Sequence, residues 1–186
     1  MTMRAALSLF AAAGLLAGCS VVPEAREQPA PDPTIAEDQG ELRPAMIEVH
    51  NAARRAVGVP ALTWDAGLAR DARIYAEELA RDERFDHSPS STREGQGENL
   101  WMGTRGAYTF AEMAGGWVDE RRHFRRGRFP DNSTSGDWLD VGHYTQIVWR
   151  TTQRVGCGVA SNARDDYLVC RYAPQGNIVG RDPIEG

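Results

Sequence analysis

Lysine is absent: all 21 basic residues are arginine, which reflects coding bias rather than a mechanism. Acidic residues outnumber them, 26 to 21, and the net charge of −5 gives no general footing for nucleic acid. Cysteine is scarce, with three in the chain. A transmembrane run is missing too. The apolar stretch Ala5–Leu16 is too short to span a bilayer as a helix. There is no internal repeat and no HExxH, GxSxG, P-loop or GxGxxG pattern, which removes the chemistries those motifs announce. What remains is 186 residues, enough for one domain with a sizeable core and an appendage.

The appendage is at the start. Arg4 precedes the apolar stretch, which ends in Leu16-Ala17-Gly18-Cys19. That ending resembles the lipobox of bacterial lipoproteins, where cleavage precedes the cysteine and the cysteine is acylated. The resemblance implies a signal peptide over 1–18 and lipidation of Cys19. By the same resemblance, Ser20 in place of Asp favours the outer membrane. The expected localisation is therefore exported and lipid-anchored to the outer membrane, facing periplasm or cell surface. Residues 19–40 carry Pro23, Pro29, Pro31 and Pro33 with no apolar period, and read as the lipidated cysteine and a disordered tether. Lipidation of Cys19 also resolves the odd cysteine count, leaving Cys157 and Cys170 as a pair in a compartment that permits a disulfide.

The remaining elements follow from period and punctuation. A first helix is expected from near Arg43, with Pro44 at its first position, until Gly58 and Pro60 end it; it carries His50 and Asn51. Asp65 is a good N-cap for a second helix reaching about Arg81. A polar loop over 84–97 holds His87, and Glu98 opens a short extended segment. Thr109 and Glu112 fit a capping box for a third helix, whose apolar face is Met113, Trp117 and Phe124. Glu120 falls on that same face, where a carboxylate needs a partner or water. Arg121, Arg122, Arg125, Arg126 and Arg128 read as a solvated helix end rather than an anion site. His143 sits in a Gly-flanked turn, and the alternation in Thr145–Thr151 predicts a central strand. A hairpin around 162–165, with Ser161 opposite Asp166, puts Cys157 opposite Cys170 in disulfide range.

Four polar residues thus stand at element edges: His87, Glu98, Glu120 and His143. Two imidazoles and two carboxylates can bind a divalent metal such as zinc, or work as acid–base pairs. Their spacings do not show that they converge.

Five motifs carry a family resemblance. They are His50-Asn51-Ala52-Ala53-Arg54, Gly97-Glu98-Asn99-Leu100, Trp117-Val118-Asp119-Glu120, Gly142–Trp149 (GHYTQIVW) and Tyr167–Ile178 (YLVCRYAPQGNI). Together they resemble, in order, the signatures of the CAP superfamily of cysteine-rich secretory, antigen 5 and pathogenesis-related 1 proteins. The resemblance implies an α+β fold, a three-layer α–β–α sandwich with a central antiparallel sheet, over 41–181, with 182–186 as a tail. It implies that the four residues line one cleft. His87 and His143 would hold zinc or another divalent cation, with Glu98 and Glu120 orienting the rings or acting as catalytic candidates. The chain keeps one expected disulfide where eukaryotic members have several, and it is expected to lack their cysteine-rich C-terminal module. The resulting expectation is a binding domain rather than an enzyme, probing a lipid-like or small apolar ligand or a cell-envelope partner. Its membrane contact would be the lipid anchor, with no nucleic acid partner and a monomeric state. The alternative is a metal-dependent hydrolase or peptidase acting on envelope substrates.

Overall fold

The computed structural model describes residues 33–185. The expected signal peptide, Cys19 and most of the expected tether lie outside them. In chain order the elements are α1 (Pro33–Val57), β1 (Thr63–Trp64), α2 (Ala66–Asp82), β2 (Gly97–Thr104), α3 (Phe110–Asp119), α4 (Gly142–Ile147), β3 (Arg154–Ser161) and β4 (Asp165–Ala173). Among the described residues no helix is long and apolar enough to cross a membrane.

The helix starts follow local chemistry. The Asp65 carboxylate accepts from the N–H groups of Gly67 and Leu68, satisfying two donors that α2 cannot pair internally. At α3 the Thr109 hydroxyl and the Glu112 carboxylate cap each other's backbone, as the sequence predicts.

The sheet runs β1-β3-β4-β2, antiparallel over β3, β4 and β2, with the two-residue β1 added in parallel at the edge. The β4 alternation decides the layers. Tyr167 and Val169 face α2 and pack with Ala72, Tyr75, Ala76 and Leu79. Leu168, Cys170 and Tyr172 face the other way, into the core shared with Leu42, Met46, Met113, Trp117 and Ile147 of α1, α3 and α4. Gly156 and Gly158 of β3 let α2 lie directly on the sheet: a Cβ there would stand 2.3 Å from the Ala69 nitrogen and 2.4 Å from the Arg73 Cα, respectively.

The hairpin has the expected register, with Ser161 opposite Asp166 and Cys157 opposite Cys170. The two cysteines form a disulfide with Cα atoms 4.1 Å apart. Closing a loop of this length stabilises by about 3 kcal/mol in the chain-entropy model.

Two expectations need correction. The first helix begins at Pro33, not near Arg43, so residues 33–40 are helical and Pro44 lies inside the helix. Pro33 suits a first turn, where a missing N–H goes unnoticed. Pro44 is on the exposed side, so the Gly40 carbonyl it leaves unpaired is open to water. Leu42 and Met46, both fully buried, hold the helix to the core on either side of it.

The second correction is larger. Thr145–Thr151 is not a strand: α4 covers Gly142–Ile147, and turns carry the chain to Thr151. Buried Tyr144, Ile147 and Val148 recur at i, i+3 and i+4, the spacing of a helix face, and that packing overrides their strand propensity. Arg54 then gathers the carbonyls the helix leaves open. Its guanidinium donates to Ile147 O and Trp149 O at 2.8 Å each and to Thr152 O at 3.0 Å.

Candidate functional site

Glu98, the second residue of β2, has a side chain with no solvent exposure. Its Oε1 lies 2.7 Å from His87 Nδ1 and accepts from the Ser88 N–H at 3.0 Å. Its Oε2 accepts from the Ser88 hydroxyl and pairs with the Arg171 guanidinium, both at 3.0 Å. Arg171 stands opposite Glu98 across the β2–β4 ladder, and its guanidinium lies over the Tyr75 ring at 5.4 Å. Burial pushes the Glu98 carboxyl up. The His87 bond, the Arg171 charge and the Ser88 N–H outweigh it and hold the carboxyl below its ordinary range.

The second cluster is built from α3 and α4. Glu120, where α3 tightens into a single 3-10 turn, sets Oε1 2.6 Å from His143 Nδ1. Its Oε2 accepts from the backbone N–H groups of His143 at 2.9 Å and Tyr144 at 3.0 Å. A carboxylate on an apolar face thus meets an imidazole and the unpaired donors at the start of α4. The His143 ring stacks on Trp117 at 5.9 Å and 19°. Trp117 is held by its indole N–H on Leu100 O at 3.0 Å, and Asn99 donates to His143 O at 3.2 Å. Neighbouring residues of β2, Glu98 and Asn99, therefore touch both clusters.

The structure brings the four residues together as two pairs, His87 with Glu98 and His143 with Glu120. A cavity of about 450 Å³ is lined by His87 and Glu98 with Arg93, Phe129, Trp138 and Gln146; Glu120 and His143 are not among its lining residues. Gln146 lines this cavity from a position one turn along α4 from His143. A further cavity of about 560 Å³ opens on another side of His87, between α2 and the loop after it.

The donor chemistry fits a cation. In each pair Nδ1 faces a carboxylate, which assigns the proton to Nδ1 and turns Nε2 into an acceptor. Neither Nε2 has a hydrogen-bond partner among the described residues. An imidazole with Nδ1–H on a carboxylate and a free Nε2 is the usual form of a metal-binding histidine. Among the described residues no three His, Cys, Asp or Glu side chains gather into a metal site by themselves. An ion here would take the two imidazoles as its protein ligands.

Sequence reasoning missed Ser88, Arg93 and Arg171, which fix and charge-balance Glu98. It also left the HNxxR stretch without a role, and the structure gives it a scaffolding one. Asn51 pairs both ways with the Leu62 backbone, and Arg54 binds the end of α4. His50, fully buried, lies 2.7 Å from Met46 O and 2.8 Å from the Tyr172 hydroxyl. Burial lowers its pKa from 6.5 to about 4, with Arg54 adding to the effect.

A family model described as "Cysteine-rich secretory protein family" matches residues 47–172. Pathogenesis-related protein 1B of Nicotiana tabacum is 40% identical over 138 residues, covering 74% of this chain and 77% of that protein. Pathogenesis-related leaf protein 4 of Solanum lycopersicum is 41% identical over 138 residues, covering 74% and 80%. Among solved structures, one titled as NaASP2 with Zn²⁺ superposes with a TM-score of 0.64 at 27% identity, covering 76% of this chain and 84% of that one.

Proposed function

The chain belongs to the cysteine-rich secretory protein (CAP) family, and on that premise we propose that it is an exported, membrane-tethered binding domain whose two His–Glu pairs take a divalent cation such as zinc. The observation that carries the cation reading is the matched geometry: His87 and His143 each set Nδ1 against a carboxylate and leave Nε2 without a partner among the described residues. The similarity to a structure solved with Zn²⁺ supports it. When bound, zinc would supply a Lewis acid and a focal charge for an anionic or carbonyl-bearing ligand. The chain's own residues do the rest. Glu98 and Glu120 orient the rings, and Arg171 and Ser88 keep Glu98 ionised.

Export is supported by the Cys157–Cys170 disulfide, which belongs in an oxidising compartment. The tether is the lipobox-like Cys19, which would place the domain on the outer membrane. We favour binding over catalysis, with a lipid-like ligand or a cell-envelope partner in the cavity beside His87, where Phe129 and Trp138 supply apolar surface. The second reading, a metal-dependent hydrolase, rests on the same free Nε2 atoms.

Titration calorimetry of the metal-stripped protein with zinc tests the cation. One binding event is expected at neutral pH, lost in His143→Ala and weakened roughly 10–100-fold in Glu120→Gln. Absence of zinc heat from the folded wild type would overturn it. Turnover of peptides or envelope glycans that depends on added zinc would favour the hydrolase.

A further inference from the structure

The arginines of the 121–128 stretch are the densest group of unpaired ones among the described residues. Elsewhere Arg55, Arg81, Arg84, Arg154 and Arg164 are exposed and paired with acids, while the other exposed arginines without an ion pair, Arg43, Arg70, Arg105, Arg150 and Arg181, stand one at a time along the chain. Arg121, Arg122, Arg125, Arg126 and Arg128 are all exposed, and among the described residues none of them forms an ion pair. Only the first two lie in the turn that ends α3. The other three ride on a loop closed by a bridge between Phe124 and Ser133, with Arg125 N–H on Asn132 O at 3.0 Å and Thr134 N–H on His123 O at 2.7 Å. A chain of net charge −5 thus concentrates unmatched positive charge on one built loop.

Exposed apolar side chains adjoin that loop. Phe129 is the hub: its ring meets Trp138 at 5.5 Å, and its backbone exchanges bonds with Gly180 N–H at 2.7 Å and Arg181 O at 2.8 Å. Trp138 and Val179, which line a cavity with it, are 43% and 76% exposed, and Leu139, next to Trp138 in the chain, is 62% exposed. Of the acids beside the loop, Asp137 and Asp140 point their carboxylates at the Leu139 N–H and the Ser135 hydroxyl, Glu120 holds His143, and Asp119 and Asp131 are exposed with no ion pair to the arginines among the described residues.

We propose that the Arg121–Arg128 loop, with Trp138, Leu139 and Val179 beside it, is a docking surface for an anionic lipid bilayer. Cations matched to phosphate headgroups, next to aromatic and aliphatic side chains able to enter the interface, are the two components of peripheral membrane binding. A soluble polyanion uses the arginines but has no need of the exposed Leu139 and Val179. The acidic remainder of the chain is repelled by the same surface, so this face docks in preference to the others. This goes beyond the cation reading and does not depend on it.

The test is sedimentation of the chain from Ser20 onward, which keeps every described residue and carries neither the apolar signal stretch nor an acyl chain. Vesicles of phosphatidylcholine alone are compared with equal parts phosphatidylcholine and phosphatidylglycerol. Wild-type surface residues should give binding to the anionic vesicles that falls with added salt, and weak binding to neutral ones. Each arginine near the bilayer contributes roughly fivefold, so replacing all five by Gln should cost on the order of a hundredfold or more, with an unchanged circular dichroism spectrum. Leu139→Ser should weaken anionic-vesicle binding further. Equal binding to both vesicles, no binding to either, or full binding by the folded five-Gln variant overturns the proposal. So does tighter binding to duplex DNA than to anionic vesicles with no effect of Leu139→Ser, which assigns the loop to a soluble polyanion.

Discussion

His50 makes the fold sensitive to mild acid. It is fully buried against Met46 and Tyr172, and its folded pKa is about 4 against 6.5 for a free histidine. Between those values the unfolded chain binds a proton that the folded chain refuses, so stability falls as pH drops through 6.5 and the loss is complete near 4. At about 1.36 kcal/mol per pH unit, the total is about 3 kcal/mol. That is a large share of the ~5–15 kcal/mol that holds a domain together. The measurement is urea unfolding of wild type and His50→Gln from pH 7.5 down to pH 4, with the disulfide intact and a chelator present. The substitution also removes bonds to Met46 and Tyr172, but that cost is constant with pH. The remaining histidines, His87, His123 and His143, are common to both proteins. The wild type should therefore lose about 3 kcal/mol more than the variant across this window. A difference between the two that does not change with pH would refute the reasoning, as would an NMR titration showing His50 of the folded protein protonating near 6.5.

Three further outcomes are expected. Cys19→Ala should make the protein releasable from the membrane by a high-salt wash that leaves the wild type in place, and persistence through that wash with no lipid mass on the wild type would remove the anchor. Alkylation of the unreduced, denatured protein should find Cys157 and Cys170 blocked, and their reduction should lower stability by about 3 kcal/mol in urea. Gly158→Val should destabilise by roughly 3 kcal/mol or more, because even its Cβ meets the Arg73 backbone at 2.4 Å, so a thermal melt matching the wild type would contradict the packing of α2 on β3.

What was legible in the sequence was local. The caps at Asp65 and Thr109 follow from side chains within three residues of the donors they satisfy. The hairpin register follows from alternation and a short turn. The misreading at Thr145–Thr151 has a definite cause: in so short an apolar run, periods of 2 and 3.6 both fit, and only Arg54 of the distant α1 shows which carbonyls stay open. Pro33 belonged to a proline-rich series that resembles a linker, and the core contacts of Leu42 and Met46 are what extend the helix past it. The site divides in the same way. Glu98, Glu120 and His143 lie in the motifs, with Glu120 also marked by its awkward place on an apolar face, while His87 stands outside them in a polar loop. Arg171 was not found, because it meets Glu98 only through the β2–β4 register, across some seventy residues of chain.

The account turns on whether the two free imidazole nitrogens meet at one ion. Crystals grown from metal-stripped protein and soaked in zinc, measured on both sides of the zinc absorption edge, answer that directly. An anomalous peak is predicted within about 2.0–2.1 Å of Nε2 of both His87 and His143, with Nδ1 of each ring still on its carboxylate. A peak bound to only one of the two histidines, or none near either, would contradict it.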